Sequence, residues 1–269
     1  MSRRILPARA SAHASARASV RALAAAGTVA VLVAGLSACT SAEDDKDPDH
    51  RTFSFRGDTL TIDADDSGLE VVAADGNAAG KVEVTRWFQG SVVLGSDPEV
   101  TWTMEDGNRL KLRTHCSGVV ADCAGKHRVE VPRGIAVKVE TDDGSVRAQG
   151  FRDALEIRTA DGSVRVSDTT GPLELHSDDG SLRADVSSRR IEASTKDGSV
   201  RLDLRDVPDL VETRSDDGSV SVALPRDTYK VSAESDDGSV DVSVPRDDTS
   251  AHVVNARTQD GKVTVRTAN

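Results

Sequence analysis

An all-β fold, wound as a parallel β-solenoid with 18–20-residue coils turned at Asp-Gly corners, is what this sequence predicts. Three observations carry that expectation. The glycines Gly144, Gly162, Gly180, Gly198, Gly218, Gly238 and Gly261 each follow an aspartate, at spacings of 18, 18, 18, 20, 20 and 23 residues. Around each of them apolar residues alternate with polar ones at period two, the signature of strands. Only 3% of the 269 residues are aromatic against 37% hydrophobic, so the interior must be narrow and lined by Val, Ile, Leu and Ala.

The first element is a leader. Residues 1–38 hold Arg3, Arg4, Arg9, Arg17 and Arg21 with no acid, then an apolar run from Ala22 to Gly35, the charged and hydrophobic regions of a signal peptide. Leu36-Ser37-Ala38-Cys39 follows directly and is similar to the lipobox of bacterial lipoproteins, in which Cys39 is acylated and becomes the new N-terminus. A chance cysteine after an ordinary cleavage site is the competing reading. Arg3-Arg4 also resembles a twin-arginine export signal, so the export route stays open. Losing five arginines and no acid takes the formal net charge from −11 to −16. A charge of that sign repels a polyphosphate, which argues against nucleic acid as a partner.

Residues 39–51 form an acidic segment without large apolar side chains and read as a flexible, solvated tether. From Phe53 the period-two pattern begins, as in Leu60-Thr61-Ile62 and Leu110-Lys111-Leu112. Residues 52–133 hold five of the seven aromatics (Phe53, Phe55, Trp87, Phe88 and Trp102) and are expected as an irregular β section that caps the repeats.

Residues 134–269 are the regular repeats. Seven before each glycine stand Val137, Leu155, Leu173, Ile191, Val211, Val231 and Val254, and two after it Val146, Val164, Leu182, Val200, Val220, Val240 and Val263. Period two points these columns inward. Three before each glycine every residue is Thr or Ser: Thr141, Thr159, Ser177, Thr195, Ser215, Ser235 and Thr258. An Asp-Gly pair also suits a type I′ hairpin, which would give an antiparallel meander. Columns of like residues stack naturally only when equivalent positions lie over one another, which favours the solenoid. The longer spacings near the C-terminus become loop insertions.

Few residues offer chemistry. Cys116 and Cys123 bracket a short loop in an exported chain and are expected as a disulfide, while the nearby His115 and His127 leave a zinc site as the sharper alternative. Asp143, Asp161, Asp179, Asp197, Asp217, Asp237 and Asp260 should stack as a surface ladder at one corner. Calcium could bridge them, or they could be turn chemistry alone. Arg147, Arg165, Arg183 and Arg201 form a neighbouring basic column that would offset the acid of the first four coils. Evenly repeated charge is the opposite of the unequal pair that acid–base catalysis needs, so no catalytic, cofactor or metal residue is assigned.

The [Thr/Ser]-x-Asp-Gly-Ser-Val units, the Val131-Pro132-Arg133-Gly134, Leu224-Pro225-Arg226-Asp227 and Val244-Pro245-Arg246-Asp247 corners and the lipobox together resemble the bacterial adhesin-like β-strand-repeat family of unknown function. The likeness runs over about residues 52–269. It implies a β-solenoid at the cell envelope and no catalytic residue or known ligand. The expectation is therefore a lipid-anchored, non-enzymatic, monomeric module on the outer face of the cell membrane, binding a glycan, a surface protein or an envelope-stress ligand. A polysaccharide-acting enzyme and a calcium-stiffened spacer are the alternatives.

Overall fold

The computed structural model describes residues 41–42, 45–76 and 80–268, so the leader and Cys39 lie outside the described residues. Every named element among them is a β-strand, which the abundance of Val and Thr and the period-two pattern require. The irregular section holds β1 (Asp49–Ser54), β2 (Thr59–Ala64), β3 (Gly68–Ala74), β4 (Lys81–Gly95), β5 (Glu99–Glu105), β6 (Arg109–His115) and β7 (Gly118–Pro132). The repeats supply β8 (Ala136–Thr141), β9 (Val146–Gln149), β10 (Leu155–Thr159), β11 (Val164–Ser167), β12 (Leu173–Ser177), β13 (Leu182–Val186), β14 (Arg190–Asp197) and β15 (Val200–Leu204). They continue with β16 (Leu210–Asp217), β17 (Val220–Leu224), β18 (Lys230–Val242) and β19 (Val253–Thr267).

Strands pair one repeat apart rather than across the Asp-Gly corner. β8, β10, β12, β14 and β16 form one parallel ladder, with Val137 beside Leu155, Leu155 beside Leu173, Leu173 beside Ile191 and Ile191 beside Val211. β9, β11, β13, β15 and β17 form the second, through Val146, Val164, Leu182, Val200 and Val220. A meander of hairpins would have paired each strand with its sequence neighbour, and these registers exclude it. The two ladders enclose a thin core in which Ile157, Leu175, Leu202 and Val211 have no exposed surface.

The sheet as a whole is mixed, which corrects the expectation of a uniformly parallel fold. β1–β4, β4–β7 and β5–β6 pair antiparallel, because β4 and β7 are long arms of one returning chain. The antiparallel strands cover the outer edge of the first coils. Ordered pairing begins at Asp49 opposite Arg86, and Asp45 accepts a hydrogen bond from the Phe88 amide at 3.0 Å, so strand structure reaches into the segment expected as tether.

Stacking order also differs from chain order at both ends. β2 lies between β6 and β8, and β3 between β7 and β9, so the first coil in sequence is the second in space. At the other end β19 inserts between the coil of β16 and β17 and the strand β18. The longer connections at 225–229 and 243–252 carry the chain past one layer and back. This leaves β18 outermost, and its inward-patterned Val240 is 44% exposed.

Two columns set how closely the coils stack. Each inward Thr or Ser hydroxyl donates to a backbone carbonyl of the adjoining coil: Thr141 to Asp65 at 2.8 Å, Thr159 to Asp142 at 3.1 Å, Thr195 to Gly180 at 3.0 Å and Ser215 to Gly198 at 2.8 Å. Thr258 donates to Gly218 at 2.7 Å and Ser235 to Gly261 at 2.8 Å, following stacking order rather than chain order. The corner glycines are needed for the same closeness. A Cβ at Gly162, Gly180 or Gly198 would collide with the carbonyl oxygen of the glycine one coil away. Among the corner glycines only Gly218 and Gly261 have positive φ, and their preceding aspartates do not, whereas Asp106 and Gly107 at the antiparallel β5–β6 turn both have it, as the hairpin rationale requires.

Gly180→Ala should therefore cost about 2–3 kcal/mol, the usual scale for forcing a methyl into a packed interior. Gly134→Ala, in open space at a φ of +82°, should cost about 1 kcal/mol. Chemical denaturation of both variants checks this, and equal losses would remove the close-approach explanation.

Candidate functional site

The corner aspartates stack as their spacing predicts. Asp197 sits beside Asp217, Asp217 beside Asp260 and Asp260 beside Asp237, so the last two members are exchanged relative to sequence order. Asp161, within hydrogen-bonding reach of Asp179 and Asp143, has its carboxyl held above the usual range. So has Asp197, through Asp179 and Asp217, and Asp260, through Asp217. Asp66 extends the ladder one coil further, raised first by burial and then by Asp143. Stacked like charges favour the protonated form of alternate members. Among the described residues no three His, Cys, Asp or Glu side chains converge to hold a metal ion.

The arginine column does not offset this acid, contrary to the sequence expectation. The corner turns the chain between Asp161 and Arg165, so carboxylates meet one another along the stack while guanidinium groups project from the next face. Arg147, Arg165, Arg183 and Arg201 stand side by side on β9, β11, β13 and β15. Exposed Ser145, Ser163, Ser181 and Ser199 stand in the column two residues before them, and all eight side chains line one shallow groove. Arg201 bonds Asp203 at 3.0 Å. Among the described residues Arg147, Arg165 and Arg183 make no ion pair or side-chain hydrogen bond.

The opposite face is internally paired. Arg109 meets Asp63 at 2.6 Å and Glu140 at 2.9 Å, and Arg113 meets Asp63 at 2.7 Å. Burial raises Asp63, but the hydrogen bonds from Arg109 and Arg113 together outweigh it and hold the carboxyl below its usual range. Lys138 continues the chain to Glu140 and Glu156 at 3.0 and 3.4 Å, and Arg158 bonds Glu156 and Glu174.

Cys116 and Cys123 meet as a disulfide pair with Cα atoms 6.5 Å apart. His115 is exposed, whereas His127 is fully buried with Nδ1 3.0 Å from the Ser67 hydroxyl. Burial, then the nearby Arg86 charge, pushes His127 down to about 4, so it is neutral at ordinary pH. His176 and His252 are half-buried: Nδ1 of His176 lies 3.0 Å from the Ser194 hydroxyl and that of His252 2.8 Å from the Pro208 carbonyl. What sequence reasoning missed is the serine column as part of an exposed strip. Its signal is present in the Gly-Ser pair repeated at the corners.

Residues 121–228, less than half of the chain, match the family described as Toastrack DUF4097, and this stretch lies within the residues that carry the β-strand-repeat resemblance. Comparison with curated proteins gave no match. A "putative adhesin" of known structure from Bacteroides fragilis is 13% identical with a TM-score of 0.52, covering 83% of this chain and 98% of its own. A "putative adhesin" from Parabacteroides merdae is 12% identical at a TM-score of 0.44, covering 83% and 97%. At such identities the first of these speaks to the fold alone.

The aspartate ladder yields a prediction with a definite sign. A carboxyl whose folded pKa lies above its unfolded value contributes stability that is present below the unfolded value and is lost as pH rises through the folded one. At pH 7 the ladder therefore opposes folding. Asp161→Asn and Asp197→Asn should each raise the denaturation midpoint at pH 7 and low ionic strength, with the gain shrinking in 1 M salt or below pH 4. Destabilisation by both substitutions would contradict it.

Proposed function

We propose that this chain is a lipid-anchored, non-enzymatic, adhesin-like module on the outer face of the cell membrane, acting as a monomer that holds a long polar face toward a glycan or surface protein. The observation that carries this reading is the evenness of the two exposed faces. Each repeats one side-chain pattern from coil to coil, which suits contact with an extended partner and lacks the unequal pair that acid–base chemistry requires. In-register parallel pairing over residues 137–224 supports reading the regular section as a parallel β-solenoid of 18–20-residue coils. The four-position lipobox at Leu36–Cys39 after an apolar run supports acylation of Cys39. The adhesin description of the Bacteroides fragilis protein, which shares the fold, agrees with a binding role.

Acyl chains add about 0.8 kcal/mol per buried CH₂, so acylated Cys39 would hold the protein firmly in the membrane fraction. Cys39→Ala should release it to the soluble extracytoplasmic fraction and abolish incorporation of labelled fatty acid. A variant that stays membrane-bound would contradict the anchor. Retention of the purified protein on immobilised glycans or envelope fractions is expected; absence of binding to every one of them would contradict the adhesin-like role.

A further inference from the structure

We infer that the arginine column of β9, β11, β13 and β15, with the serine column just before those strands, forms a binding strip for a linear acidic polysaccharide lying along the stack; this rests on the adhesin-like reading and names its ligand class. Parallel strands neighbour at about 4.8 Å, so the four arginines present cations at that interval over roughly 14 Å. Such a row suits a chain bearing a carboxylate or sulfate at every residue or every second residue.

Single cations such as Arg190 on β14 also lack an ion pair among the described residues, but in this strip three stand in a row in adjoining layers. On the opposite face Arg109, Arg113, Lys138 and Arg158 are each held by carboxylates. On this face Arg147, Arg165 and Arg183 stand side by side in adjoining layers and make no ion pair among the described residues. Guanidinium groups left free with their forks exposed are suited to bidentate bonds with carboxylate or sulfate. The exposed hydroxyls of the serine column add donors and acceptors for sugar hydroxyls.

Shape separates a polymer from a broad anionic surface. One side of the strip is bounded by the corner column of Asp161, Asp179 and Asp197. The other is bounded by Asp185 and Asp203, which are held in place by Arg205 at 2.8 Å and Arg201 at 3.0 Å. A flat membrane of anionic headgroups would press against both acid columns, whereas a single polymer chain meets only the basic strip between them. The exported chain is strongly acidic overall, so general charge attraction does not draw a polyanion to it.

The test uses the purified protein and immobilised polygalacturonate or dextran sulfate, with neutral dextran and phosphatidylglycerol vesicles alongside. Binding to one or both polyanions is expected, weakening steeply with salt. The triple variant Arg147→Gln, Arg165→Gln, Arg183→Gln should bind about tenfold or more weakly, with a flatter salt dependence. The variant Arg158→Gln, Arg214→Gln, Arg257→Gln changes net charge equally on the opposite face and should bind like the parent. Equal weakening by both triple variants, unchanged binding by the first, or binding to vesicles alone would overturn the strip. Binding to neutral dextran alone would overturn it while leaving the adhesin-like role standing, and binding to no glycan or envelope fraction would remove both.

Discussion

Each coil is tied to the next by a buried hydroxyl that donates to a backbone carbonyl beside the Asp-Gly corner, and the rest of the molecule follows from the closeness this bond requires. Thr195 spans to both Asp178 and Gly180, at 3.2 and 3.0 Å, and is only 3% exposed. A carbonyl at that depth without a partner would cost about 1–3 kcal/mol. The hydroxyl satisfies it and also fixes the register, because it can reach the carbonyl only when equivalent residues lie over one another. Glycine at the corner is the second half of the same constraint, since any side chain there would push the coils apart.

That closeness generates the surface chemistry. Once equivalent positions are stacked, every outward residue becomes part of a ladder, whether or not its charge suits its neighbours. The fold handles three ladders differently. On β8 and β10 acids and bases interlock through Lys138, Glu140, Glu156 and Arg158. Along the corner, alternate acids have their carboxyls held above the usual range by the neighbouring aspartates. Of the arginine column, Arg201 bonds Asp203, while Arg147, Arg165 and Arg183 make no ion pair among the described residues. The low aromatic content has the same origin, since a core one coil wide has room for Val, Leu and Ile but little for rings. Tyr229 is an exception, fully buried beside the C-terminal return loops with its hydroxyl donating to the Pro225 carbonyl at 2.9 Å.

Much of this was legible in the sequence because a repeat is read in register with itself. The inward Val and Leu columns, the Thr/Ser column and the corner aspartates follow from spacing alone. Layer order was not legible: nothing in the sequence of 253–267 says that β19 slips between β17 and β18, because inward-facing Val254 and Val263 suit any layer equally well. The antiparallel cap was hidden for a related reason, as period two marks a strand without marking its direction. The glycine rationale was legible only in part, since Asp-Gly signals a tight turn while the approach of the neighbouring carbonyl depends on a coil 18 residues away. The arginine strip could be listed as a column but not recognised as unpaired until its neighbours were placed.

The most direct measurement is the stability of Thr195→Val. Valine matches threonine in shape, favours strands and is more apolar, so if the buried column served only as packing the substitution would be neutral or stabilising. The hydroxyl–carbonyl tie predicts the opposite sign: a loss of about 1–3 kcal/mol in equilibrium denaturation, with faster amide exchange at the neighbouring corners. A variant as stable as the parent, with exchange unchanged, would contradict the hydroxyl column as the element that holds the stack.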